Sequence, residues 1–143
     1  MSKTFIPKAV RQAIAEAAKH RCGYCQTQTL VTGIAMQIDH IIPEAKGGSS
    51  AEASLWLACS WCNSRKSDQT HALDLATNQY VALFNPRQQN WNTHFAWSED
   101  GVYVLGKTAV GRATVDALQM NNHRIVKSRF LWVAAGWHPP ADV

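Results

Sequence analysis

No run of about 18 apolar residues occurs anywhere in the 143-residue chain, which excludes a membrane-spanning helix. No apolar segment follows Met1-Ser2-Lys3-Thr4 either, so the chain reads as lacking a secretory leader and working in the cytoplasm. Internal repeats and low-complexity tracts are missing, which removes solenoids and fibrous arrays. Charged residues make up only 17% against 46% hydrophobic, a balance that excludes a disordered chain and fits an ordinary globular one. No cysteine stands outside two Cys-x2-Cys pairs. Four thiols in a reducing compartment point to metal rather than to disulfides. No βαβ pattern surrounds either pair, which argues against a thioredoxin-like redox motif.

The charge that is present is uneven. The net +4 and pI of 9.0 give a mild bias towards polyanions. Residues 1–70 carry +3 of it and residues 71–143 only +1, so positive charge gathers in the part that holds the cysteines.

Hydrophobic spacing predicts a helix over Pro7–His20, with Pro7 in its first turn and Val10, Ile14, Ala17 and Ala18 on one face. Met36–Ile42 reads as a short strand and Pro43–Ser54, with Gly47-Gly48, as a loop. Leu55–Ala58 reads as a second strand returning beside the first, and a short helix follows with Ser60 as its N-cap. Residues 71–93, rich in Asn and Gln, read as loops. His94–Trp97 and Val102–Leu105 flank Ser98–Gly101 as a hairpin. Two helices are expected over Thr108–Met120 and Asn122–Ala135, the second stopped by Gly136.

Cys22-x2-Cys25 and Cys59-x2-Cys62 form two knuckles, each able to give two sulfurs to one tetrahedron. Four thiolates close the shell, so a zinc ion there is structural rather than catalytic. Arg21, Arg65 and Lys66 stand near enough in sequence to offset its negative charge. Between the knuckles lies Ile38-Asp39-His40-Ile41-Ile42-Pro43, and Asn63 follows Cys62 directly. Asp39 offers an oxygen suited to a hard cation. His40 is a base that works near neutral pH. Asn63 offers a neutral carbonyl oxygen, placed by the knuckle beside it.

This ordered set resembles the HNH endonucleases of the four-cysteine type, over roughly residues 5–70. The likeness rests on Cys22–Cys25, Ile38–Pro43, Lys46-Gly47-Gly48, Leu55–Asn63 and Lys66. It implies a zinc-stapled ββα-metal HNH core at residues 1–70 with an N-terminal helix; the hairpin and helix signals add a C-terminal hairpin-plus-helices extension at 71–143, supporting or substrate-facing, and the whole reads as an α+β fold. The likeness implies His40 as general base and Asp39 and Asn63 as ligands of a catalytic Mg2+ or Mn2+, beside a structural Zn2+. DNA is the implied partner, with Lys46, Arg65 and Lys66 against its phosphate backbone, and the implied products are a 5′ phosphate and a 3′ hydroxyl. Ser54 stands where the family usually has an Asn that braces the loop and orients the base. Its shorter side chain bears on the rate more than on the reaction.

Two other readings compete. One is a non-catalytic zinc module derived from the same fold that only binds nucleic acid; the retention of Asp39, His40 and Asn63 together argues against it. The other is a protein-interaction domain with Trp91, Trp97, Trp132 and Trp137 on an exposed face, against which stands the tendency of large aromatics to be core.

Overall fold

Pro7 opens the first helix, α1 (Lys8–Ala17), with φ −57° and ψ 148°, and its carbonyl accepts the Arg11 N–H at 3.0 Å. In this computed structural model, which describes residues 5–142, Ile14 and Ala18 of the helical face are buried and Val10 packs beside them. The reading of Met1–Thr4 lies outside the described residues.

The face of α1 meets a two-stranded antiparallel hairpin. Strand β1 (Gln37–His40) pairs with β2 (Leu55–Ala58) so that Asp39 lies opposite Trp56 and His40 opposite Leu55. Leu55 and Leu57 join Ile6, Ile14 and Ala18 in one cluster. Between the strands, the expected loop contains two short 3-10 turns, Glu44–Lys46 and Glu52–Ser54. A single helical turn, α2 (Thr29–Thr32), precedes the hairpin, and helix α3 (Ser60–Lys66) follows it. The cap of α3 is Cys59 rather than Ser60: Cys59 has extended geometry, and its Sγ accepts the Cys62 N–H at 3.4 Å. Sulfur takes the place of the usual cap oxygen because the knuckle turns this side chain back over the helix end.

The stretch expected as loops holds a second hairpin, β3 (His71–Asp74) with β4 (Gln79–Ala82), and a short helix, α4 (Trp91–His94). The Asn, Asp and Thr residues that mimic a loop are its turn. Asp74 accepts Thr77 Oγ1 at 2.7 Å, and Asn78 sits at φ 60°, a conformation asparagine tolerates. The third hairpin, β5 (Phe95–Trp97) with β6 (Val104–Gly106), starts later on its second strand than the spacing implies. Asn121 fixes that start by bonding both the N–H and the carbonyl of Val104, at 2.8 and 2.9 Å. Helices α5 (Ala109–Ala117) and α6 (His123–Ala134) are capped by the side chains of Thr108 and Asn122. Gly136, at φ 80°, follows the second of them.

The larger core cluster crosses position 70. It joins Cys22, Tyr24, Cys25 and Cys62 to Phe84, Trp91, Phe95, Val104, Leu118 and Met120. Two indoles bolt the later elements to the knuckles: Trp91 Nε1 donates to the Tyr24 carbonyl at 2.8 Å and Trp61 Nε1 to the Leu118 carbonyl at 2.9 Å. The tryptophans do not make an exposed face. Trp91 is buried, Trp97 and Trp132 are half-buried around His138, and among the four only Trp137 is exposed.

The β3–β4 hairpin is tied to α5 through Asp74, which is 1% exposed and takes both Arg112 Nε and Nη2 at 3.0 Å. Those bonds, with the one from Thr77, hold its carboxyl at about 2. The ordinary value is about 3.9. The folded pKa is depressed, so the stabilisation is fully present above pH 4 and fades as pH falls towards 2. Acid unfolding followed by circular dichroism should therefore show a loss of stability in that window. Asp74→Asn should be less stable at pH 7 and should lack this part of the pH dependence.

Candidate metal centres and active site

The first knuckle is a tight turn on the end of the hairpin. The Gly23 N–H donates to the Leu57 carbonyl at 2.9 Å, and the Gln26 N–H closes the turn on the Cys22 carbonyl at 3.0 Å. Gly23 is required there. A Cβ would lie 2.3 Å from Trp56 Cδ1 and 2.7 Å from Pro86 Cβ, so any larger residue would push the knuckle off the strand. The second knuckle is the start of α3. Together they place ligand atoms of Cys22, Cys25, Cys59 and Cys62 within 4.8 Å of one another, with Cys25 Sγ and Cys59 Sγ 3.7 Å apart.

A tetrahedral ion with metal–sulfur bonds of about 2.3 Å has sulfur–sulfur edges of about 3.8 Å, so the cluster fits zinc in size as well as in donor type. Burial pushes the Cys22 thiol well above its ordinary value, whereas bonds from Cys22, Cys59 and Cys62 pull Cys25 well below it. Four buried sulfurs cannot all ionise without a cation, and a divalent ion supplies one.

The cation expected to offset this site comes from elsewhere. Arg21 pairs with Asp142, Arg65 stacks over Trp61 at 4.5 Å, and Lys66 is turned inwards to Asp39. Arg129, fully buried, lines a cavity of 250 Å3 together with Cys25, Cys59 and Cys62. Its Nη atoms bond the Val102 and Met120 carbonyls and Asn121, while its Nε has no partner among the described residues. Burial lowers its pKa and the four cysteines raise it. Sequence proximity misled here, because the elements that bring Arg129 to the cluster are more than sixty residues away.

A second cavity, of 340 Å3, opens on the other side of the hairpin end and is lined by Asp39, His40, Glu44, Asn63, Ser67 and Asp68 among others. The three residues read as its chemistry are thus brought together. Asp39 is 3% exposed; Oδ2 accepts Tyr24 Oη at 2.6 Å and Oδ1 accepts Lys66 Nζ at 3.2 Å. Burial raises its pKa, while Lys66 and Tyr24 pull the other way. His40 Nε2 lies 2.8 Å from Ser50 Oγ and 3.7 Å from Glu44 Oε1. Asn63 donates Nδ2 to Gln37 Oε1 at 2.7 Å, which leaves its Oδ1 to face other partners. A buried carboxylate and an amide oxygen make a donor set that fits a hard divalent ion.

The loop between the strands closes on itself. The Gly48 N–H bonds the Pro43 carbonyl, and a Cβ at Gly48 would lie 1.7 Å from the Ile42 oxygen, so this turn also needs glycine. Lys46, on the loop, and Arg65, on α3, are exposed. Lys66 is not: at 2% exposure it cannot lie against a phosphate, because both the Asp39 carboxylate and the His40 carbonyl accept its Nζ. Ser54 supports the loop through its carbonyl, which accepts the Ile41 N–H at 3.1 Å. The side-chain bond to the His40 ring comes from Ser50 instead. Sequence reasoning also missed Tyr24, Glu44 and Gln37. Glu44 stands four residues after His40 and Tyr24 lies inside a knuckle, signals that spacing offers; Gln37 and Ser50 are brought in only by the folded hairpin.

Residues 22–75 match the model of a protein family described as HNH endonuclease. That segment is similar to HNH endonucleases, and it carries the four-cysteine cluster. No curated protein and no solved structure matches the chain.

The cluster generates a direct expectation. Purified protein should hold one zinc ion per chain by elemental analysis. A strong chelator should release it with loss of the ordered β1–β2 hairpin and α3, since structural zinc contributes about 10–16 kcal/mol in small zinc folds. Clearly substoichiometric zinc in freshly folded protein would contradict the assignment.

Proposed function

We propose that the protein is a metal-dependent endonuclease that hydrolyses DNA phosphodiester bonds. The observation that carries this reading is the convergence of Asp39, His40 and Asn63 on one cavity, each held by a separate neighbour.

His40 is the general base. Nε2 is engaged with Ser50 Oγ, which makes Nδ1 the ring atom that would take a proton from water. Glu44 Oε1 lies 3.7 Å from the same Nε2. The water oxygen attacks phosphorus in line with the 3′ oxygen. The bond to that oxygen breaks, and the 3′ oxygen takes a proton from solvent water, leaving a 5′ phosphate and a 3′ hydroxyl. Asp39 and Asn63 would hold a magnesium or manganese ion, which would supply stabilisation of the charge developing on the leaving oxygen. Lys46 and Arg65, both exposed and each next in sequence to a residue lining the cavity, contact phosphates and set the strand's register without reading bases. Residues 71–143 act as a supporting extension of the HNH module, since their core is continuous with the knuckles.

The decisive comparison is His40→Ala against the parent on supercoiled plasmid with Mg2+, Mn2+ or EDTA. Cleavage by the variant should fall by about a hundredfold to ten-thousandfold, the usual contribution of a general base, with zinc content and DNA affinity near those of the parent. Added Mn2+ should not restore it, whereas Asp39→Ala should regain part of its loss in high Mn2+. A His40→Ala protein that cuts as fast as the parent would overturn the mechanism, and a parent that binds DNA but never cuts would favour the binding-module reading.

A further inference from the structure

Each oxygen of the Asp39 carboxylate is held by a residue rooted in a different cysteine knuckle. Tyr24 is the third residue of Cys22–Cys25. Its ring is fully buried, and its hydroxyl reaches Oδ2 at 2.6 Å. Lys66 lies four residues after Cys62, one helical turn along α3 on the same side. Its ammonium reaches Oδ1 at 3.2 Å and the His40 carbonyl at 2.9 Å. All of these side chains are nearly sealed from water, so none of the bonds is exchanged for solvent.

We propose that Tyr24 and Lys66 are positioning residues that carry the geometry of the four-sulfur cluster to the catalytic carboxylate, one knuckle gripping each of its oxygens. The inference rests on the nuclease reading above and adds how its metal ligand is aimed. A carboxylate has about four acceptor positions. Tyr24 and Lys66 occupy one on each oxygen, which locks the rotamer and leaves the remaining directions for the divalent ion. Lys66 does a second job. Through the His40 carbonyl it ties the base to the same anchor as the carboxylate. This use of Lys66 explains why a lysine beside a proposed phosphate site is buried. The arrangement also carries a cost, because a fixed ammonium next to the carboxylate repels an incoming cation.

These two roles give different signatures. Tyr24→Phe keeps the ring and removes only the hydroxyl. Loss of such an orienting bond typically lowers metal affinity or activity by about 10–100-fold. The expected result is that zinc content and KM for DNA stay at parental values. Mn2+ affinity, measured by electron paramagnetic resonance without DNA, and kcat should fall within that range, with partial recovery of kcat in excess Mn2+. Lys66→Met removes the tether and the charge together. Its kcat should fall while Mn2+ binding weakens less than in Tyr24→Phe, since loss of the repulsion offsets loss of the tether. Parental Mn2+ affinity and kcat in Tyr24→Phe would overturn the inference, as would loss of zinc in step with Mn2+, because Tyr24 would then merely hold the knuckle. Mn2+ binding weaker in Lys66→Met than in Tyr24→Phe would overturn the part assigned to its charge. A parent protein that neither binds Mn2+ nor cuts would instead sink the nuclease reading, and this inference with it. The parent measurements therefore separate the two failures.

Discussion

Four sulfur atoms drawn within 4.8 Å of one another are the constraint on which the rest of the molecule depends. The hairpin has four residues per strand and the helix behind it seven, lengths at which neither element is stable alone in water. Gathering the sulfurs joins the turn before β1 to the start of α3 and fixes the angle between hairpin and helix. Because Asp39 is on the hairpin and Asn63 directly follows a cluster cysteine, the same constraint sets how far apart those two side chains lie. The basis of stability and the basis of the proposed chemistry are one piece of covalent and coordinate geometry.

The second half of the chain is built onto that cluster. The indole bonds of Trp91 and Trp61, the shared core of Phe84, Phe95, Leu118 and Met120, and the buried guanidinium of Arg129 all converge on the knuckles. A buried cation with a free Nε beside four cysteines is costly unless the sulfurs carry negative charge. The extension therefore fits a metal-loaded cluster better than four neutral thiols. The hairpin and the helices of this half also cover apolar surface that a core of seventy residues would leave wet.

Much of the site was legible because its ligands are close in sequence and their chemistry is specific. Paired cysteines at fixed spacing, an Asp-His dipeptide between them and an Asn next to the last cysteine needed no fold to be noticed. The longer helices α1, α5 and α6 were legible from periodicity, and Gly136 marked the end of the last, whereas the short α2 and α4 were not. The β3–β4 hairpin was not, because only one side of it is buried and its turn has the composition of a loop.

The amino-acid sequence by itself determined which atoms can bind metal, which can take a proton and where the elements of the hairpin and helices fall, since these follow from side-chain chemistry and local backbone preference. Only the tertiary structure decided what each charge does. Lys66 and Arg65 are adjacent in the chain, yet one is sealed against Asp39 and the other is exposed over Trp61. Arg129, with no chemical motif around it, lies beside the cysteines. The side-chain bond to the histidine ring comes from Ser50, while Ser54 acts on the same loop through its carbonyl. The physical reason is that a charge or a hydroxyl acts through distance and burial, and both are set by elements far apart in sequence meeting in space.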